Sequence, residues 1–70
     1  MNIKMIKIEE NLEGAIQEKI AVYEVIFDNG NIQILKFAAP FELSNDEVIE
    51  FVDEQLKQVT AYLETQSCNI

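Results

Sequence analysis

The 70-residue chain has no histidine, no tryptophan, no arginine and a single cysteine, Cys68. One cysteine excludes an internal disulfide, and without histidine the ligand spacings of zinc fingers are absent. The same gaps remove common catalytic groups, because histidine is the usual general base and arginine the usual clamp for anions. We therefore expect no catalytic residue, no metal site and no cofactor, and a protein that is not an enzyme.

Long apolar runs are also missing. No stretch approaches the ~20 apolar residues of a membrane span, and the start of the chain has no apolar run typical of a signal peptide. We expect a cytoplasmic protein. A core this small leaves little room for a substrate pocket, and its stability is limited to about 3–5 kcal/mol. With disulfides and metals excluded, association with a protein partner is the remaining means of stabilisation.

Positive charge is scarce, since five lysines stand against 13 aspartates and glutamates and the net charge is −8. Nucleic-acid affinity comes mainly from lysine and arginine meeting phosphates, and anionic membranes repel an acidic surface in the same way. The composition therefore predicts no direct binding of nucleic acid and no membrane contact. A basic protein remains an open possibility as a partner.

The chain reads as one α+β domain over 1–66, with a frayed tail over 67–70. Three segments rich in β-branched and aromatic residues predict strands; they are 2–9, 19–28 and 31–38. Pro40 is predicted to end the third strand, because proline cannot donate to a ladder. The strands form an antiparallel meander, followed by one C-terminal helix packed on one of its faces.

The helix start has a strong local signature. Ser44 is a good N-cap, Glu47 completes a capping box, and Leu43 and Val48 occupy the positions of a hydrophobic staple. The helix runs to about Glu64. Apolar residues at alternating spacings of three and four then form one stripe facing the sheet: Ile49, Val52, Leu56, Val59 and Leu63.

Asn29-Gly30 predicts a two-residue type I′ turn, which fixes the register of the second and third strands. One face then carries Ala21, Tyr23, Val25, Phe27, Ile32, Ile34, Lys36 and Ala38, and we assign it to the helix. The other face carries Ile20, Val22, Glu24, Ile26, Gln33, Leu35 and Phe37. In the first strand, Ile6 and Ile8 share one face, while Ile3 and Met5 share the other.

The second face is unusually apolar for a face that the helix does not cover. Solvated sheet faces are normally polar at alternate positions, and contiguous apolar patches are uncommon on monomers. Scattered surface apolar residues, or a cover by the N-terminal segment, would also explain it. We favour a protein interface, in its simplest form a two-fold homodimer of two sheets packed face to face.

Two further sides of the helix carry distinct side chains. One flank is acidic and includes a favourable pair from Asp53 to Lys57; its carboxylates are Asp46, Glu50, Asp53, Glu54 and Glu64. A solvated face explains it most simply, and imitation of phosphates before a basic groove is the functional alternative. The opposite flank carries Phe51, Gln55, Gln58 and Tyr62. It suits a protein contact, or belongs to a core wide enough to include it.

In size and charge the chain resembles small phage-type inhibitors of nucleic-acid enzymes, such as anti-CRISPR proteins, a resemblance of composition with no shared motif. The leading hypothesis is a small acidic, homodimeric binding module that occupies a basic nucleic-acid-handling protein. The alternative is a structural or assembly subunit that builds an oligomer through its apolar sheet face.

Overall fold

The structure, a computed structural model, describes residues 1–67. Its elements are β1 (Asn2–Asn11), β2 (Glu18–Ile26), β3 (Ile32–Pro40) and α1 (Asn45–Ser67). The strands form one antiparallel sheet in the order β1-β2-β3, and α1 packs against β3 and β2 on one side. The predicted α+β meander with a single C-terminal helix is therefore confirmed.

The central strand β2 defines the two faces of the sheet. Ala21 and Tyr23 are buried in one cluster with Val48 and Val52 of α1, and Val25 alternates with them and is 0% exposed. We name this side the helix face. The residues between them point the opposite way because side chains alternate along a strand. The open face of β2 therefore consists of Glu18, Ile20, Val22, Glu24 and Ile26.

A β-bulge in β1 changes the predicted faces of that strand. The register shifts between Met5 and Lys7, where Ile6 is the extra residue. On either side of the bulge, Met5 and Ile8 both pair with helix-face residues of β2. Since paired residues point to the same face, Ile8 lies on the helix face together with Ile3 and Met5. The predicted grouping of Ile6 with Ile8 is wrong because the bulge shifts the alternation.

The β2–β3 hairpin closes through loop 28–30 rather than the predicted two-residue turn. The Phe27 N–H donates to the Asn31 carbonyl at 2.8 Å, and the Gly30 N–H donates to the Phe27 carbonyl at 2.9 Å. Gly30 has φ +89°, the left-handed conformation that glycine adopts without steric cost. A type I turn followed by such a residue is the usual three-residue hairpin loop.

The longer loop shifts β3 by one residue and exchanges its two faces. Leu35 pairs with Tyr23 and Phe37 pairs with Ala21, so both lie on the helix face, as does Gln33 opposite Val25. Phe37 is 9% exposed, and its ring meets that of Tyr23 edge to face at 6.0 Å. The predicted register is therefore wrong. The residues of β3 that it assigned to the helix lie on the open face: Ile32, Ile34, Lys36 and Ala38.

Pro40 is the last residue of β3 and pairs with Glu18, so the strand ends at the predicted residue but extends two residues past the predicted segment 31–38. In an antiparallel sheet, every second residue of a strand forms backbone hydrogen bonds to a given neighbouring strand. Phe27 and Asn31 are a hydrogen-bonded pair, so the odd-numbered residues of β3 bond to β2. The nitrogen of Pro40 therefore faces the outer edge of the sheet. Proline is tolerated there because no ladder bond is lost.

The predicted capping box at the start of α1 is confirmed. The Ser44 N–H donates to Glu47 Oε1 at 3.0 Å, and the Glu47 N–H donates to Ser44 Oγ at 3.3 Å. The bond from Ser44 lowers the pKa of the Glu47 carboxyl. Leu43 and Val48 both pack into the core as the staple requires.

Ser44→Ala is expected to lower the free energy of unfolding by about 1 kcal/mol, because the Glu47 N–H loses its acceptor at the helix start. Urea denaturation followed by circular dichroism measures it. Thr65→Ala, at an exposed position near the other end of α1, is the matched control and is expected to change little. An unchanged midpoint for Ser44→Ala would contradict the cap.

The buried stripe of α1 differs in part from the predicted one. Val48 and Val52 are 0% exposed, whereas Ile49 is 38% exposed and lies at the edge of the contact. Thr60, which was not predicted to belong to the buried stripe, is buried, and its hydroxyl donates to the Lys57 carbonyl at 3.1 Å. α1 continues past the predicted end to Ser67. Of the predicted tail over 67–70, the part beyond Ser67, including Cys68, lies outside the described residues.

Candidate interaction surfaces

The open face contains four of the seven residues predicted for a sheet interface. Three others, Gln33, Leu35 and Phe37, lie on the helix face because of the register shift. Ile32 and Ile34 take their place and are 60% and 48% exposed. Both lie in β3, which is an edge strand, so the apolar part of the open face lies near the outer edge of the sheet. The four predicted residues that do lie there are Ile20, Val22, Glu24 and Ile26.

Lysines flank the centre of the open face. Val22 is 4% exposed although α1 lies on the other side, and its neighbours in the ladders are Lys7 of β1 and Lys36 of β3. Lysine stems can cover apolar surface while the ammonium groups stay in water. Lys7 donates to Glu9 at 2.8 Å, and this bond, with a smaller effect of Lys36, lowers the pKa of the Glu9 carboxyl. The open face is therefore more polar than predicted.

A shallow depression of about 450 Å³ lies on the open face toward the β1–β2 connection. Its lining is Glu9, Glu10, Asn11, Glu13, Ile20, Lys36 and Ala38. Within residues 1–67, no group of three or more His, Cys, Asp or Glu side chains is arranged to hold a metal ion. The depression brings carboxylates beside one lysine and offers no arrangement specific to a reaction.

The acidic flank of α1 is exposed along its length. Its only lysine, Lys57, pairs with Asp53 at 2.9 Å, as predicted, and this bond raises the pKa of Lys57. No ion pair is found for Glu50 or Glu54 within the part of the chain that the structure describes. All of the acidic residues predicted for this flank are exposed: Asp46, Glu50, Asp53, Glu54 and Glu64.

The acidic flank is on the side of α1 that lies toward β2. The pKa of Tyr23 is raised, first by burial and second by the charge of Asp53, which places Asp53 near the central strand. The opposite side of the helix carries Phe51, Gln55, Gln58 and Tyr62, which we name the aromatic flank, so this flank lies toward the outer edge of β3. The two flanks therefore face different surroundings.

The aromatic flank is solvent-exposed. Phe51 is 47% exposed and Tyr62 is 60% exposed, and Gln55 and Gln58 between them are exposed as well. The alternative of a core wide enough to include these residues is therefore wrong. Two half-exposed aromatic rings on one side of a helix are typical of protein contacts, in which aromatic residues are enriched.

The outer edge of β3 is a feature that the sequence argument missed. Its outward N–H and C=O groups belong to the even-numbered residues and have no partner strand in the described part of the chain. The residues with outward backbone groups are Ile32, Ile34, Lys36 and Ala38. Asp28, Asn29 and Gly30 fit a type I turn with glycine at its fourth position, and that signal could have predicted the correct register.

No helix among residues 1–67 is both long enough and apolar enough to cross a membrane. A scan against protein-family models, a search of curated proteins and a search of solved structures each gave no match.

Proposed function

We propose that this protein is a small non-enzymatic binding module that docks the acidic flank of α1 onto a basic surface of a partner protein. The observation that supports it is the segregation of charge. Three of the five lysines, Lys4, Lys7 and Lys36, lie on the open face, on the other side of the sheet from α1. The acidic flank keeps one lysine, so its field is strongly negative.

The chemistry of such a flank favours a nucleic-acid-handling protein as the target. A groove that binds phosphates presents lysine and arginine at close spacing, and a row of carboxylates about one helical turn apart satisfies the same groups. Complementary charge raises the association rate and orients the partners. The module then acts as an inhibitor, because its helix and the nucleic acid occupy one surface.

Reversal of charge on the acidic flank is expected to abolish binding without unfolding the chain. Glu50→Lys with Glu54→Lys removes two exposed carboxylates that form no ion pair in the described structure, so the Asp53–Lys57 pair is kept. Glu10→Lys with Glu13→Lys is the matched control, since it changes the net charge equally at exposed positions outside α1.

The three proteins serve as baits in quantitative affinity capture from cell extract. We expect wild type and control to retain the same basic proteins, the reversed variant to lose them, and added duplex DNA or 0.5 M salt to release them. Retention of the same set by all three baits, or capture that ignores salt and DNA, would contradict the proposal and favour a solvated flank.

An assembly subunit remains the second candidate function. The unpaired edge of β3 favours it, because exposed strand edges are templates for pairing with another chain. In that case the acidic flank only keeps the assembly soluble.

A further inference from the structure

The sheet has two outer edges, and they are protected unequally. β1 carries the bulge at Ile6 and the charges of Lys4, Lys7, Glu9 and Glu10, which are the usual devices against edge pairing. In β3 the only charged residue is Lys36, and Pro40 blocks only the end of the strand. Between the hairpin loop and Pro40, the edge from Ile32 to Ala38 is regular and has no partner strand within residues 1–67.

We infer that the outer edge of β3 pairs antiparallel with the same edge of a second copy of this chain. The pairing joins the two three-stranded sheets into one continuous sheet. The two-fold axis runs perpendicular to the sheet, so both helices lie on the same side with their aromatic flanks facing each other. This surface is separate from the acidic flank and does not depend on the proposed function.

The aromatic flank has the symmetry that such a contact requires. Its residues are spaced four, three and four positions apart, so the spacing is the same counted from either end: Phe51, Gln55, Gln58 and Tyr62. In an antiparallel contact of two copies, Phe51 meets Tyr62 and Gln55 meets Gln58. An isologous interface demands this reciprocity, in which each residue meets the counterpart of its own partner.

The axes of the strand contact and the helix contact coincide. The centre of the flank lies between Gln55 and Gln58, about 17 Å along α1 from Asn45. α1 runs back over β3, since Val48 and Val52 near its start cluster with Phe37 and Ala39 near the end of that strand. About 17 Å corresponds to about five strand residues. Counted back from Pro40, this position is Leu35. Pairing about Leu35 sets Ile34 opposite Lys36 of the second copy, with no like charges opposite one another.

The separation of the helices also fits. Paired strands lie about 4.8 Å apart. α1 packs against both β3 and β2, so its axis lies between them, about half a strand spacing inside the edge. The two helix axes then lie about 10 Å apart, within the usual distance for packed helices. Neither the strand contact nor the helix contact prevents the other.

Charge favours a second copy as the occupant. The aromatic flank carries no charged residue, and β3 carries one lysine, on a chain whose net charge is −8. Two such chains repel each other least at this strip, whereas a basic partner gains nothing from it. One strand and one flank form an interface near the lower limit of about 1,000 Å². We therefore expect a dimer that dissociates on dilution.

The test is sedimentation equilibrium over a concentration series, with two double variants at the centre of the flank. Wild type is expected to move from the 8.0 kDa chain mass to twice that mass as concentration rises. Gln55→Lys with Gln58→Lys brings four ammonium groups together at the axis and is expected to stay monomeric. It also makes the chain less acidic, so general repulsion cannot account for the loss.

Gln55→Lys with Gln58→Glu is the rescue, because each lysine then faces a glutamate of the second copy, and its dimer is expected to match wild type within tenfold. Circular dichroism checks that all variants stay folded. The inference is overturned if wild type stays at the chain mass, if the two-lysine variant dimerises like wild type, or if the rescue fails. It is also overturned if only Ile26→Lys dissociates the dimer, since that would place the contact on the open face.

Discussion

Val25→Lys is expected to leave no cooperatively folded protein at room temperature. Val25 is 0% exposed on the helix face, and no carboxylate is paired with its position in either ladder, where its partners are Ile3 and Gln33. A lone buried ammonium costs several kcal/mol. A domain of this size has about 3–5 kcal/mol in total. Thermal melts followed by circular dichroism measure the effect.

Ile26→Lys is the matched control one residue along the same strand. Ile26 lies on the open face, where a lysine stem can cover its neighbours and leave the ammonium in water. We expect this variant to melt cooperatively, with a modest loss of stability. If both variants fold equally well, or if Ile26→Lys unfolds and Val25→Lys does not, the faces of β2 are assigned wrongly.

Phe37→Ala is expected to be the most damaging truncation in β3. Phe37 is buried at 9% exposure, packs in the core cluster with Val48 and Val52, and meets the ring of Tyr23 at 6.0 Å. Truncation of a buried phenylalanine costs about 3–5 kcal/mol. This is the whole stability of such a domain, so urea titration should find the variant largely unfolded without denaturant.

Ile34→Ala is its control, because Ile34 is 48% exposed on the open face of the same strand. Surface truncations usually change stability by about 0.5 kcal/mol or less. The register predicted from a two-residue turn reverses the two expectations, since it places Ile34 in the core and Phe37 on the surface. A larger loss from Ile34→Ala than from Phe37→Ala would therefore support that register and contradict the structure.

The register is where sequence reasoning was weakest, and the reason is physical. Both alternating sets of β3 are apolar, with Ile32 and Ile34 in one and Leu35 and Phe37 in the other. Hydrophobic pattern cannot choose between two apolar faces, so the prediction depended on the turn alone. Asn29-Gly30 supports two different loops, because glycine suits a two-residue type I′ turn and also the fourth position of a type I turn.

The bulge in β1 was hidden for a similar reason. Isoleucine and methionine occupy both alternating sets there, so the shift at Ile6 leaves no interruption in the pattern. The start of the helix was easier to predict, because the capping residues Ser44 and Glu47 bond to each other three residues apart in the sequence. Its buried stripe depends on how α1 lies on the sheet, which decides that Val48 is buried and Ile49 is half exposed. That orientation is a tertiary property.

The two proposed contacts use different sides of one helix. The acidic flank lies toward β2 and the aromatic flank toward the outer edge of β3, so a dimer through β3 leaves both acidic flanks accessible on the same side of the joined sheet. Two copies of a row of carboxylates, related by a two-fold axis, suit a basic partner that is itself two-fold symmetric. Binding through both flanks then raises the apparent affinity without a new contact.

Amide hydrogen exchange along β3 tests the pairing of two copies most directly. Ile32, Ile34, Lys36 and Ala38 direct their N–H groups to the outer edge, whereas the odd-numbered amides bond to β2. At high concentration we expect all of these amides to exchange slowly, and on dilution only the even-numbered ones should become fast. Even-numbered amides that exchange fast at every concentration would contradict the edge-paired dimer.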